Sequence, residues 1–329
     1  DSRPVGLQVN TGTTLALIGG DIGVEGGNLT ANQGRIELGS VAQSGTVSLL
    51  PIADGVTVDY DTIDRFGDLR FTQAASVDVS GEGSGTLHFQ GKNISVLESS
   101  AIVSNVLGAD PGGESRLRAT ESVDIIGTQT GEFPSAFFNQ GEAGSTGNVG
   151  NLSIETGRLQ VIKNAFISHQ IAGAGNGGDL MITANDITLI NETGPIFIGY
   201  LTGLFLDVLI SGTGQGGDLR VDSGILDLLE RGFISTNTFG AGHAGDIVIQ
   251  VDQLQIKNIA SISSVTLGQG NGGVIFISAD EINLSNRGSI DSLTIGQGEA
   301  GPISIQARAI EVMGDIDSGI FANTYGERQ

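Results

Sequence analysis

A glycine phrase recurs every 28 residues: Gly214, Gly242, Gly270 and Gly298 each open a unit, and Gly326 opens the next. Gly147 and Gly175 open two more units upstream, with a distorted copy near Asp110 and a weaker one near Glu82. A fixed period of this length marks a repeat architecture, in which each unit leans on its neighbours. The apolar residues of the units fall in columns. A first pair is Leu152/Ile154, Leu180/Ile182, Leu219/Val221, Ile247/Ile249, Ile275/Ile277 and Ile303/Ile305. A second is Leu159/Val161, Ile187/Leu189, Leu226/Leu228, Leu254/Ile256, Ile282/Leu284 and Ile310/Val312. Ile167, Ile234, Ile262 and Ile290 form a third column. A spacing of two within each pair is that of a strand with one buried face.

Each unit therefore reads as three short strands separated by Gly, Asn and Asp turns. Such a unit cannot bury its own apolar face, but stacked on its equivalents it can. The columns predict an all-β solenoid, a parallel β-helix with three strands per coil and coils about 4.8 Å apart. Leucine-rich repeats, propeller blades and helical repeats need consensus residues, unit lengths or spacings that the columns lack. Residues 1–81 are less regular. They read as short strands at Thr14–Ile18, Asn28–Ala31, Arg35–Leu38, Thr46–Leu50, Val56–Tyr60, Asp68–Thr72 and Ser76–Val79, in shorter coils continuing the rod. Short and long coils together give roughly twelve. The chain divides into an N-terminal short-coil region, 1–81, and a 28-residue-repeat region, 82–329.

Composition agrees with strands and tight turns: there are 53 glycines, and aromatic residues are 5%. Fifteen basic residues face 37 acidic ones, a net charge of −22, which disfavours a nucleic-acid partner. The absence of cysteine removes disulfides, thiolate metal sites and cysteine nucleophiles together. No uninterrupted apolar run reaches the roughly 18 residues of a membrane-spanning helix. The opening Asp1-Ser2-Arg3-Pro4 has neither Met nor signal peptide, as expected for a piece of a longer protein.

Two units exceed the period, with extra residues at 127–147 and 190–213. The first carries Phe133, Phe137 and Phe138, and the second Phe197, Tyr200, Leu204, Phe205 and Leu209. Either these segments fold onto the rod and contribute their own strand, or their apolar side chains form an interaction patch for a ligand, partner or lipid. Lying two coils apart, they could adjoin.

Catalysis on such a rod would need clustered carboxylates. The candidates are Asp54, Asp59, Asp61, Asp64 and Asp68 in one turn-rich stretch, but no polygalacturonase-like set accompanies them. His243 falls in the repeat's turn slot, His88 alternates with Leu87 and Phe89 and points outward, and His169 is ambiguous. Three scattered histidines lack metal-ligand spacing. Asp179, Asp218 and Asp246 recur at one position of consecutive coils, where stacked carboxylates either share a cation such as calcium or are solvated turn residues. No other cofactor is expected.

The phrases GNGGDLMITANDITL, NAFISHQIAGAGNGGDL and RGFISTNTFGAGHAGDIVI resemble repeats of cyanobacterial exoproteins of the filamentous haemagglutinin type, exported by two-partner secretion. The insertion GEFPSAFF and the opening TLALIGGDIGVEGGNLTANQGRIELGSV are similar to segments of the same proteins, the latter at the end of their secretion domain. The resemblance implies a right-handed β-helix, extracellular or on the outer cell surface, exported through an outer-membrane transporter. The asparagine-rich signature that begins such a secretion domain is missing, so the transporter is expected to be met through an N-terminal part absent from this sequence. A non-catalytic shaft or adhesin segment is the leading expectation, with a cell-surface or glycan receptor as a further partner. A self-assembling fibre or lattice component, joined end to end through open strand edges, is the alternative. A polysaccharide-active enzyme comes last.

Overall fold

The computed structural model describes residues 6–52, 55–128, 133–192, 202–314 and 317–325. It is built from strands, and two long parallel sheets dominate it. One runs through long strands, among them Leu152–Ile162, Leu180–Ile190, Leu219–Leu229, Ile247–Lys257, Ile275–Ser285 and Ile303–Met313. The other runs through short strands, among them Ala165–Ser168, Thr202–Phe205, Gly232–Ser235, Ser261–Thr266, Ser289–Thr294 and Gly319–Thr324. Every neighbour pair in these stacks is parallel and one coil apart, which is a parallel β-helix.

The columns pair as the repeat predicts. Ile247 lies against Ile275 and Ile249 against Ile277, while Leu254 and Ile256 meet Ile282 and Leu284. In the short-strand stack Ile167 meets Leu204, which meets Ile234, then Ile262 and Ile290. These residues form one continuous core along the rod.

The first and second strands of a unit are in fact one strand with a bend. In Leu219–Leu229 the buried positions are Leu219, Val221 and Ser223, then Leu226 and Leu228. The alternation skips one residue at the bend, so both arms face inward while the backbone stays extended. Each coil thus keeps three inward faces, two of them on one bent strand.

The glycine columns have a steric cause. A Cβ on Gly270 would collide with the carbonyl oxygen of Gly242, and one on Gly273 with that of Gly245. At this corner the coils approach too closely for a side chain. The corner after the long strand is different. At Lys163–Asn164, Glu230–Arg231, Asn258–Ile259 and Asn286–Arg287 it is a two-residue turn with both residues left-handed and no glycine, while Gly26 and Gly314 take a positive φ directly after Ile22–Glu25 and Ile303–Met313.

One expectation is corrected. The segments Thr46–Leu50 and Val56–Tyr60 are not coil strands: Ser48–Ile52 and Gly55–Asp59 pair with each other, antiparallel, as a hairpin off the stack. That hairpin takes up chain that would otherwise make a coil. Among the described residues the short-strand stack holds 11 strands. The over-long units also supply regular rungs: Ser135–Phe138 and Thr202–Phe205 are short-stack strands, so the added chain lies before them.

Candidate interaction surfaces

The turn aspartates work as a hydrogen-bond ladder. Asp179 Oδ1 accepts the backbone N–H of Asp218 at 3.0 Å, Asp218 Oδ1 that of Asp246 at 2.9 Å, and Asp246 Oδ1 that of Val274 at 2.8 Å. Asn151 does the same for Asp179 with an amide oxygen. One oxygen of each carboxylate is therefore spent on satisfying the next coil. Among the described residues no group of three or more His, Cys, Asp or Glu is placed to hold a metal.

The histidines fill three different places. His243 Nδ1 accepts the backbone N–H of Asn271 at 2.9 Å, taking part in a second corner ladder with Asn148, Asn176 and Asn271. His169 lies fully inside the rod, 3.1 Å from Asn139 Nδ2 and 3.2 Å from the Gly178 carbonyl. Its Nδ1–H donates to that carbonyl and its Nε2 accepts from Asn139. Burial pushes its pKa down to about 4, against the Gly178 hydrogen bond. The same interior column holds Ser264 and Ser292, which bond Gly273 and Gly301 across the coil. It thus ties polar side chains to backbone at the close-packed glycine corner.

His88 points outward and joins a cluster that sequence reasoning missed. Glu37, at 0% exposure, accepts Arg35 Nε at 2.5 Å and Thr57 Oγ1 at 2.9 Å, and His88 Nδ1 lies 3.3 Å from its other oxygen. Burial works against this carboxylate, yet His88 and Arg35 hold its pKa below the ordinary value. Thr57 comes from the hairpin, so the cluster pins the hairpin to the outer face of the long-strand sheet. Tyr60 follows the hairpin and packs edge-on against Phe66, with ring centroids 5.8 Å apart. Burial, reinforced by the charge of Glu37, raises its pKa. Its hydroxyl occupies the space that a Cβ on Gly39 would take. Between hairpin and rod lies a groove of about 830 Å³, reached by Asp59, Asp61, Arg118, Glu155 and Asn185. Of the candidate acids, Asp59 and Asp61 reach this groove, Asp64 and Asp68 do not line it, and Asp54 lies outside the described residues.

The phenylalanines of the over-long units divide. Phe137 and Leu204 point into the core at 0% exposure, in register with Ile167, so they cannot belong to a surface patch. Phe133 is exposed and Leu209 half-buried, while Phe197 and Tyr200 lie outside the described residues. Phe138 and Phe205 face outward, and a regular repeat residue, Phe166, bridges them: Phe138–Phe166 centroids are 5.3 Å apart and Phe166–Phe205 6.1 Å. Phe233 extends the row. Each ring sits beside a small residue of the next coil, Phe138 on Ser168, Phe166 on Gly203, Phe205 on Ser235 and Phe233 on Ser261. The result is a zigzag phenylalanine stripe, and its upper half borders a groove of about 320 Å³ containing Asp207. Exposed Phe239, Leu267 and Ile295 continue an apolar line along the neighbouring corner. The sequence carried one signal for this stripe, the Phe166 and Phe233 positions just before the third column, which lie inside regular units.

Residues 2–89 match the family model of the TPS secretion domain. The match includes the hairpin and the Glu37 cluster, and ends inside the long strand Thr86–Leu97. It supports a two-partner-secretion exoprotein with an outer-membrane transporter as export partner and an extracellular or cell-surface destination. No curated protein and no solved structure was found to match the chain.

Proposed function

From a TPS secretion-domain match at the base of a parallel β-helix, we propose that this chain is a non-catalytic shaft segment of a two-partner-secretion exoprotein, right-handed as parallel crossovers are. The observation that carries this reading is the continuous succession of parallel rungs from Leu7 to Thr324, packed around one apolar core over most of its length. Rods of this kind hold a distal or lateral surface away from the cell. The finer reading is an adhesin of the filamentous haemagglutinin type, in which the phenylalanine stripe meets the receptor. The experiment is export from cells carrying the full protein and its transporter. Removal of the segment 2–89 is expected to retain the protein inside, while substitutions in the stripe leave export intact and reduce attachment to cells. Export that ignores residues 2–89 would contradict the proposal, as would polysaccharide turnover lost on Asp59→Asn or Asp61→Asn.

A further inference from the structure

Asp207 carries a charge that the fold does not need. It stands in an outward column with Asn105, Gln140, Gln170 and Asn237, beside the phenylalanine stripe. The column's structural task is to accept the next coil's backbone N–H. Asn105 does so for Gln140 at 3.1 Å and Asn237 for Val265 at 2.8 Å, each with an uncharged amide. Asp207 Oδ1 does the same for Asn237 at 2.8 Å and also accepts Ser235 Oγ at 2.7 Å. Its Oδ2 has one long contact, 3.3 Å from Gln170 Nε2. The residue is 5% exposed, and among the described residues no basic side chain lines the groove it faces. An anion so placed, with no cation to offset it, is costly.

The walls of that groove are Phe166, Phe205, Phe233 and Phe239. Neighbouring rings meet nearly edge to face, Phe166 and Phe205 at 72°. A sugar stacks on a flat, exposed ring face, which this alternation does not offer. Four aromatic rings lining a groove with one carboxylate are instead a setting that suits an organic cation, attracted by the ring quadrupoles and neutralised by the acid. The chain's net charge of −22 works in the same direction.

We propose that Asp207 and the four phenylalanines around it form a binding site for an alkylammonium group. The inference rests on the phenylalanine face being a ligand surface, and it names the ligand's chemistry. Burial raises the Asp207 pKa, with the Ser235, Asn237 and Gln170 hydrogen bonds opposing. Asp207 is the one titratable residue lining the groove among the described residues, so cation binding favours its charged form and strengthens as pH rises.

The test is calorimetric titration of the chain with choline, with butylammonium, and with 3,3-dimethylbutan-1-ol, the neutral isostere of choline. At least one ammonium is expected to bind about tenfold or more tighter than the alcohol. Whichever ammonium binds better separates a quaternary from a primary amine source. Asp207→Asn keeps the ladder oxygen, so it is expected to melt normally and to weaken cation binding about tenfold. Phe239→Leu, at the rim, keeps the apolar packing and is expected to weaken it too. Equal binding of choline and the alcohol overturns the inference. So does the absence of ammonium binding, displacement of choline by methyl glycosides, or full cation affinity in Phe239→Leu. A stripe variant that loses attachment to cells while no ammonium binds the native chain would sink this inference and leave the adhesin reading standing.

Discussion

Asp218 Oδ1 holds the backbone N–H of Asp246 at 2.9 Å, one coil away, and Asp218's own N–H is held by Asp179 at 3.0 Å. The bond asks for an acceptor oxygen at this position and for nothing more. Asp218→Asn is expected to melt within a few degrees of the native chain, with relief of like-charge repulsion in its favour. Asp218→Ala strands a half-buried N–H and is expected to cost about 1–2 kcal/mol in urea unfolding. Added calcium is expected to leave the melting temperature unchanged. A calcium-dependent rise that Asp218→Asn abolishes would restore the metal reading of Asp179, Asp218 and Asp246.

His169 makes the rod sensitive to mild acid. Its pKa falls from 6.5 to about 4 on burial, so between these values the unfolded chain binds a proton that the folded chain refuses. The stabilisation is complete above about pH 6.5 and is lost as pH falls toward 4, about 3 kcal/mol in all. His169→Leu puts at this position the residue type that the next coil carries at Leu206. Denaturant titrations across that window are expected to show a flatter pH dependence in the variant. An unchanged slope would show that His169 is not the group responsible.

Ile259 sits in the left-handed region at φ 67°, where a β-branched residue is strained. Asn164 occupies the same corner three coils earlier, at φ 60°. Ile259 is 36% exposed, so little burial is lost on replacement. Ile259→Asn is expected to stabilise the chain by about 0.5–1 kcal/mol, read as a raised melting temperature. A lowered one would mean that its apolar contacts outweigh the backbone strain.

Gly39→Ala drives a methyl into the Tyr60 hydroxyl. Because the hairpin stands off the stack, its release is expected to be local: faster proteolysis between Ser48 and Asp59, with little change in the main melting transition. Global unfolding instead would mean that the hairpin closes the core.

The repeat made the stack legible because identical residue types sit on one another, and Ile249 on Val221 or Ile277 is visible as a 28-residue echo. The bend inside Leu219–Leu229 was not legible as a bend, since a skipped alternation looks the same as a strand break. The hairpin was missed for a related reason. Strand-like residues at Ser48–Ile52 and Gly55–Asp59 do not say which neighbour they pair with, and no repeat exists there to reveal it. The surface was least legible. Phe137 and Phe138 are adjacent in sequence and take opposite sides of the rod, one in the core and one on the stripe. Asp207 and Glu37 gain their character from partners one or more coils away, Asn237 and Ser235 for one and Thr57 and His88 for the other.

The central claim is that the chain is one continuous stack whose inward apolar columns serve packing alone. Ile249 lies mid-rod at 0% exposure, between Val221 and Ile277. The most direct test is Ile249→Asp followed by amide hydrogen exchange. The account predicts a loss of about 4 kcal/mol or more and a collapse of protection across several neighbouring coils, from Leu219 to Ser285. A variant that melts like the native chain, with protection intact at Val221 and Ile277, would contradict the register on which the whole reading stands.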